Sequence, residues 1–236
     1  MNAAIIAAGG VGERFASGGG KQLALVAGLP VLAHTLLAFE ACDAVDVVVV
    51  VTHPDRVDAY RREAVEAIGS SKVVGVVPGG ATRRASVAAG LAALPEGVDL
   101  VAVHDGARAA VRPATIAAAF AELESRTDAA GVVVGHRAVD TMKRVDADLR
   151  VAETPDRDVL WVAQTPQVFR ASALVQAHAR AAAESFEGTD DASLVERDGG
   201  VVLMLEGPRW NMKVTVPEDL TVLAALLALH LRSEDR

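Results

Sequence analysis

The first twenty-two residues constrain this chain more than any other stretch. Ala3-Ala4-Ile5-Ile6-Ala7-Ala8 is a short apolar run that ends in glycines. It reads as a buried parallel strand, because a helix of that character needs more length. It runs directly into Gly9-Gly10-Val11-Gly12-Glu13-Arg14, then Phe15-Ala16-Ser17, three more glycines and Lys21-Gln22. A strand ending in a glycine turn leaves backbone N–H groups pointing the same way, which suits a phosphate chain. Arg14 and Lys21 are spaced to close over it. Two well-known phosphate loops do not fit. A P-loop needs a glycine where Phe15 stands and a hydroxyl where Gln22 stands. The dinucleotide fingerprint starting at Gly10 and Gly12 meets Phe15 at its third glycine. The next strand also ends in Thr52-His53-Pro54, without an acid for a ribose.

Strands are expected at 45–52, 72–77 and 100–103, alternating with helices at 31–41, 55–68 and 82–94. A helix at 113–123 and a strand at 131–135 continue the alternation. The pattern predicts an α/β fold, a Rossmann-like, mostly parallel open sheet with helices on both faces. Residues 137–160 lack a helical period and read as two antiparallel strands joined around Asp146-Ala147-Asp148. A hairpin of that size cannot bury a core by itself. It is therefore expected to protrude as an arm and pack on a second subunit, which implies a homodimer, or else to fold over its own sheet. Helices at 171–184 and 189–197, strands at 201–206 and 211–216, and a last helix from Pro217 complete the chain. Without a linker or a break in composition, residues 1–236 are expected to form a single domain.

Composition narrows the partners. A net charge of −8 argues against nucleic acid, so an anionic ligand must be met by local cations. One cysteine, Cys42, rules out an internal disulfide or a cysteine metal cluster. No apolar run is long enough for a membrane helix, and the N-terminus does not read as a signal peptide, so a cytoplasmic protein is expected.

Ligands of open parallel sheets sit beyond the carboxyl ends of the strands. Five polar stretches are expected there: the first loop, 78–86, 104–108, 164–167 and 211–213. They would gather Arg14, Lys21, Arg83, Asp105 and Lys213 around one mouth. Ser86 adds a hydroxyl, and Gly79 and Gly80 would let a flat ring approach the backbone. Asp105 is placed to hold Mg²⁺ directly or through water, or else to pair with Arg108.

AAGG-x-GER…GKQ, PGGATRRASV, HDGAR, DTMKRV, TPDR…LW, QTPQ-x-F, TDDASLVE and NMKVT-x-PEDL occur in this order. Together they resemble the 2-C-methyl-D-erythritol 4-phosphate cytidylyltransferases of the non-mevalonate isoprenoid pathway, over nearly the whole chain. The resemblance implies that Ala7, Ala8 and Gly9 cradle CTP, with Gly79, Gly80 and Ser86 around its cytosine and ribose. It implies that Arg14 and Lys21 stabilise the transition state, and that Asp105, Gly106 and Arg108 lie near ribose and metal. Thr141, Arg157, Thr165, Thr189 and Lys213 match positions that hold the sugar phosphate, Thr141 and Arg157 from an arm reaching into the neighbouring subunit. Two departures stand out: the first loop is one residue longer than usual, and Gly20 replaces a common proline. The expected reaction is in-line attack of the sugar phosphate on the α-phosphorus of CTP, with Mg²⁺ bridging phosphates. Rival readings are a ribitol-5-phosphate cytidylyltransferase and, more distantly, a non-catalytic nucleotide-binding regulator.

Overall fold

The computed structural model describes residues 1–10 and 20–234, the side chains of 230–234 aside. Arg14 lies outside the described residues. The chain opens with β1 (Asn2–Ala7), fully buried from Ala3 to Ile6. A small hairpin, β2 (Leu25–Val26) and β3 (Leu29–Pro30), turns through Ala27 and Gly28, both at positive φ. It delivers the chain to α1 (Val31–Glu40). Then come β4 (Val47–Thr52), α2 (Val57–Tyr60), β5 (Val73–Pro78), α3 (Arg83–Ala92) and β6 (Leu100–Asp105). After α4 (Pro113–Ser125) and β7 (Gly131–Arg137), the hairpin β8 (Arg144–Val145) and β9 (Val151–Glu153) departs from the body. The remainder is β10 (Trp161–Arg170), α5 (Ala171–Ala183), α6 (Asp191–Arg197), β11 (Val202–Glu206) and α7 (Asp219–Glu234).

One seven-stranded sheet has the order β11-β7-β10-β6-β1-β4-β5 and is parallel except for β10, which runs antiparallel to both neighbours. Alternate residues of each central strand feed opposite layers, as a period of two requires. Ile6, Val50, Ala102 and Val168 pack with Leu36, Phe39 and Phe120 of α1 and α4. Ile5, Val49, Val101 and Phe169 pack with Val87, Leu174 and Leu194 of α3, α5 and α6. Both faces are covered, which is why the strands read as unbroken β-branched runs.

Topology fixes the site. From β1 the chain moves outward to β4 and β5, then crosses back to place β6 on the other side of β1. The order reverses between β1 and β6, where Ala7 pairs with Asp105, while Thr52 pairs with Pro78 further out. The carboxyl ends of four parallel strands therefore share one level.

Three expectations need correction. Residues 211–216 form no strand: they are a loop anchored by the Val214 N–H on the Ala107 carbonyl (2.8 Å). Residues 164–167 are not a strand end but lie inside β10, where the pairing with β7 shifts between Ala163 and Gln167. A proline is tolerated in a strand at such an irregularity, and Pro166 follows a cis peptide bond there. The helix expected at 55–68 is compound. A 3₁₀ turn (Pro54–Arg56) and α2 lead into a π-helical stretch, Arg61–Glu66.

Candidate active site

Beyond the strand ends lies a cavity of about 600 Å³, lined by the first loop, the β5–α3 turn, the end of β6 and the 211–216 loop. Ala7, Gly9, Lys21, Gly79, Gly80, Arg83, Ser86, Asp105 and Lys213 all line it. Four of the five stretches expected to converge do so, although they lie up to two hundred residues apart, whereas no residue of 164–167 lines the cavity.

The turn into α3 forms one wall. Thr82 caps the helix by accepting the Ala85 N–H (3.1 Å). The Ser86 hydroxyl accepts the Gly80 N–H (3.2 Å) and donates to the Thr82 carbonyl (2.9 Å), folding the turn onto the helix. A Cβ on Gly79 would meet the Ser86 hydroxyl at 2.7 Å, and one on Gly80 would meet the Ala85 Cβ at 2.5 Å. The glycines are thus required by packing against α3. The Gly79 N–H goes to the Thr52 carbonyl, the Ala8 N–H to Val51 and the Gly106 N–H to Ala7. Those three amides complete the strand ends and are not offered to a ligand.

Asp105 organises the opposite wall. Its Oδ2 lies 3.0 Å from the Lys213 Nζ and 3.3 Å from the Arg108 Nε. Burial alone would raise this carboxyl, but Lys213, Arg108 and Arg83 bring it down to about 2. It is ionised at any working pH. The Lys21 ammonium is lowered by burial first and then by the charge of Lys213, with Asp105 opposing. Arg83 is neutralised from behind by the fully buried Asp191, whose other oxygen accepts from His178 Nε2 at 3.0 Å. Lys21, Lys213 and Arg108 thus set three positive charges against the carboxylates of Asp105 and Asp219. That local excess in a chain of net charge −8 calls for an anion.

Beneath the cavity, Thr165 is buried and does not line it. Its hydroxyl accepts the Asp105 N–H (3.0 Å) and meets His104 Nδ1 (3.0 Å). Burial holds His104 neutral, at about 3, although Asp105 favours the cation. Thr165 therefore supports Asp105 rather than facing a substrate in this arrangement. Arg108 reaches past Asp105 to the Asn211 carbonyl (2.9 Å). Thr189 and Thr141 are exposed away from the lining, Thr141 beside the β8–β9 arm. Arg157 lines a separate cavity of about 330 Å³ with Arg137, Glu206 and Arg209, and donates to the Val139 carbonyl (3.0 Å). Within one chain Arg157 and Lys213 are not brought together.

A metal would find one carboxylate here. Among the described residues no cluster of three or more acidic, histidine or cysteine side chains could hold a cation alone. Both cations contact Asp105 through Oδ2. One carboxylate oxygen plus substrate phosphates is the donor set Mg²⁺ takes in nucleotide sites, so the residues fit an ion arriving with a nucleotide.

Comparison with known proteins gives this arrangement its relatives. Residues 2–229 match the family model described as 2-C-methyl-D-erythritol 4-phosphate cytidylyltransferase. This chain belongs to that family. It is 42% identical over 226 residues to the cytidylyltransferase of Geotalea uraniireducens, covering 95% of each chain. It is 41% identical over 225 residues to that of Pelotomaculum thermopropionicum, covering 95% of this chain and 93% of the relative. The crystal structure of 4-diphosphocytidyl-2C-methyl-D-erythritol synthase from Anaerococcus prevotii superposes with a TM-score of 0.84 at 28% identity, covering 97% of this chain and 96% of that one.

Within this cytidylyltransferase, the motif residues that line the cavity come with supports that pattern reading missed. Asp191 anchors Arg83. Gln167 binds the Ala192 N–H (3.1 Å) and Asp190 (2.8 Å), fixing the start of α6. Asn211, fully buried, donates to the Thr165 carbonyl (2.7 Å) and Gln164 Oε1 (3.3 Å), tying the Lys213 loop to β10. The signal for them is their place inside the motifs TDDASLVE, QTPQ-x-F and NMKVT-x-PEDL.

Proposed function

We infer that this chain transfers CMP from CTP to 2-C-methyl-D-erythritol 4-phosphate and releases pyrophosphate. Family membership supports the reaction, and the observation that carries the site assignment is Lys21 and Lys213 lining one cavity with Asp105 between them. The sugar phosphate is ionised at neutral pH, so its oxygen needs no general base. Catalysis is then alignment and charge neutralisation. The phosphate oxygen attacks the α-phosphorus in line, and the bond to pyrophosphate breaks. Lys21 balances charge growing on the transferred phosphoryl group, and Lys213 holds the incoming phosphate. The wall of Gly79, Gly80, Arg83 and Ser86 receives cytosine and ribose. Asp105 would hold Mg²⁺, which when bound with CTP neutralises its phosphates. Arg14 is assigned to the same charge balance.

The arm supports a homodimer as part of this reading. Val145, Val151 and Leu149 of the β8–β9 hairpin are exposed, Leu149 to 81%. Arg157 sits at the base of the arm, apart from Lys213, as expected if each arm serves the other subunit's cavity together with Thr141. No helix among the described residues is long and apolar enough to cross a membrane, and we assign the enzyme to the cytoplasm.

Pyrophosphate release from CTP with each acceptor tests the assignment. Turnover is expected with methylerythritol phosphate and not with ribitol 5-phosphate. Release only with the pentitol, or with neither, would overturn it. Lys21→Ala should lower turnover by ~10²–10³, as loss of one preorganised charge stabiliser does elsewhere.

A further inference from the structure

Lys21 stands in a tight turn, closed by the Leu23 N–H on the Gly20 carbonyl (3.3 Å). Gly20, just before it, has φ +73°, a left-handed conformation closed to proline and strained for other side chains. The next residue, Gln22, is 2% exposed although it is an amide, and it too lines the cavity. Its partner is Tyr60, the last residue of α2 and also 2% exposed. The Tyr60 hydroxyl lies 3.4 Å from Gln22 Oε1 and 3.3 Å from the Ala8 carbonyl at the end of β1. The Gly20 Cα faces the same group: a Cβ there would lie 3.6 Å from Gln22 Oε1 and 3.9 Å from the Tyr60 hydroxyl. On its other side Gln22 is pinned through its carbonyl, which accepts the Leu32 N–H of α1 (2.9 Å). Burial raises the Tyr60 phenol, so it stays protonated and can donate. The π-helical stretch begins immediately after Tyr60. Such departures from α-helical winding re-aim a side chain and are frequent at functional sites.

Resting on the catalytic reading of Lys21 above, we propose that Tyr60 and Gln22 are positioning residues that clasp the Lys21 segment to the end of β1. The single phenol proton is shared between Gln22 Oε1, on the residue beside Lys21, and the Ala8 carbonyl at the end of the strand that lines the same cavity. Neither residue needs to touch the reacting atoms. Together they set where the ammonium stands relative to the triphosphate before it binds. A misplacement of about 1 Å in a catalytic group can cost on the order of a hundredfold in rate.

Steady-state kinetics and thermal melts of Tyr60→Phe and Gln22→Met, each alone and combined with Lys21→Ala, test this. Tyr60→Phe and Gln22→Met are expected to lower kcat on the order of tenfold to a hundredfold, with KM for both substrates within twofold. In the Lys21→Ala background neither should lower the residual rate further, because the group they position is gone. Unchanged kcat in both single variants, or an equal fold-loss in the Lys21→Ala background, would overturn the clasp. Should Tyr60→Phe fail to fold, Gln22→Met carries the same test, since it leaves the Tyr60–Ala8 contact in place. A Lys21→Ala enzyme of normal turnover would instead sink the catalytic reading, whatever the clasp variants do.

Discussion

His104 and Asp105 are neighbours in one strand, yet burial treats them oppositely. Asp105 remains charged because three cations compensate its desolvation, whereas His104 remains neutral at about 3 because burial outweighs the nearby carboxylate. The unfolded chain binds a proton at His104 as pH falls below about 6.5, while the native state refuses it until about 3. Stability is therefore complete above pH 6.5 and lost on acidification, by on the order of 5 kcal/mol in full at ~1.4 kcal/mol per pKa unit. Asp105 adds a second loss, about 2 kcal/mol, between pH 3.8 and 2, because its native pKa is depressed. Chemical denaturation from pH 8 to pH 4 should show wild-type stability falling from near 6.5. In His104→Gln that onset should move to near 4, and an unchanged onset would contradict the account. The charged residues of this mouth were legible in the sequence because Lys21 and Asp105 stand beside glycines, and Arg83 and Lys213 lie within the motifs PGGATRRASV and NMKVT-x-PEDL. Asp191, Gln167 and Tyr60 were not, because each acts from inside the core, where only three-dimensional neighbours distinguish a support from an interruption.

The element least legible was β10. Its ten residues are split by Gln164-Thr165-Pro166-Gln167, which reads as a loop because a proline and two amides interrupt the alternation. Gln164 and the Thr165 carbonyl accept from Asn211 of the loop that carries Lys213, and Gln167 fixes the start of α6, so the interruption is what the site uses. The 211–216 stretch was misread for a related reason. Its apolar Val214 is fully buried, but among Val26, Val31, Ala107 and Leu223 beside α7, not in a sheet. Backbone satisfaction comes instead from Asp219 in the first turn of α7, which accepts the Thr215 and Val216 N–H groups (2.7 and 3.0 Å). The central strands, by contrast, were read well, since burial on both faces writes a continuous β-branched run. Asn211→Ala would leave the Thr165 carbonyl and Gln164 Oε1 without this donor, at about 1–3 kcal/mol for a buried polar group. A lower melting temperature, with KM for the sugar phosphate raised more than KM for CTP, is the expected result. A variant with wild-type melting and kinetics would show that the loop holds Lys213 without this anchor.

At the scale of the molecule, the separation of Arg157 from Lys213 is the fact that a proposed dimer must resolve. The two lie on different cavities of one chain, so a site using both draws them from two chains. The exposed apolar residues of the arm, Val145, Leu149 and Val151, give it reason to find another surface. In a two-fold dimer each site is then built from one subunit's Lys213 and the other's Arg157. Arg157→Ala and Lys213→Ala homodimers lack one group in both sites and should be nearly inactive. A mixed dimer has one site missing both groups and one site intact. Random assembly makes half the dimers mixed, so co-expression of the two variants should restore about a quarter of wild-type activity per chain. Two separately purified variants should show no such gain until their subunits exchange. If co-expressed chains stayed as inactive as the homodimers while light scattering reported dimers, Arg157 would serve its own subunit, and the arm would be an interface without a catalytic share.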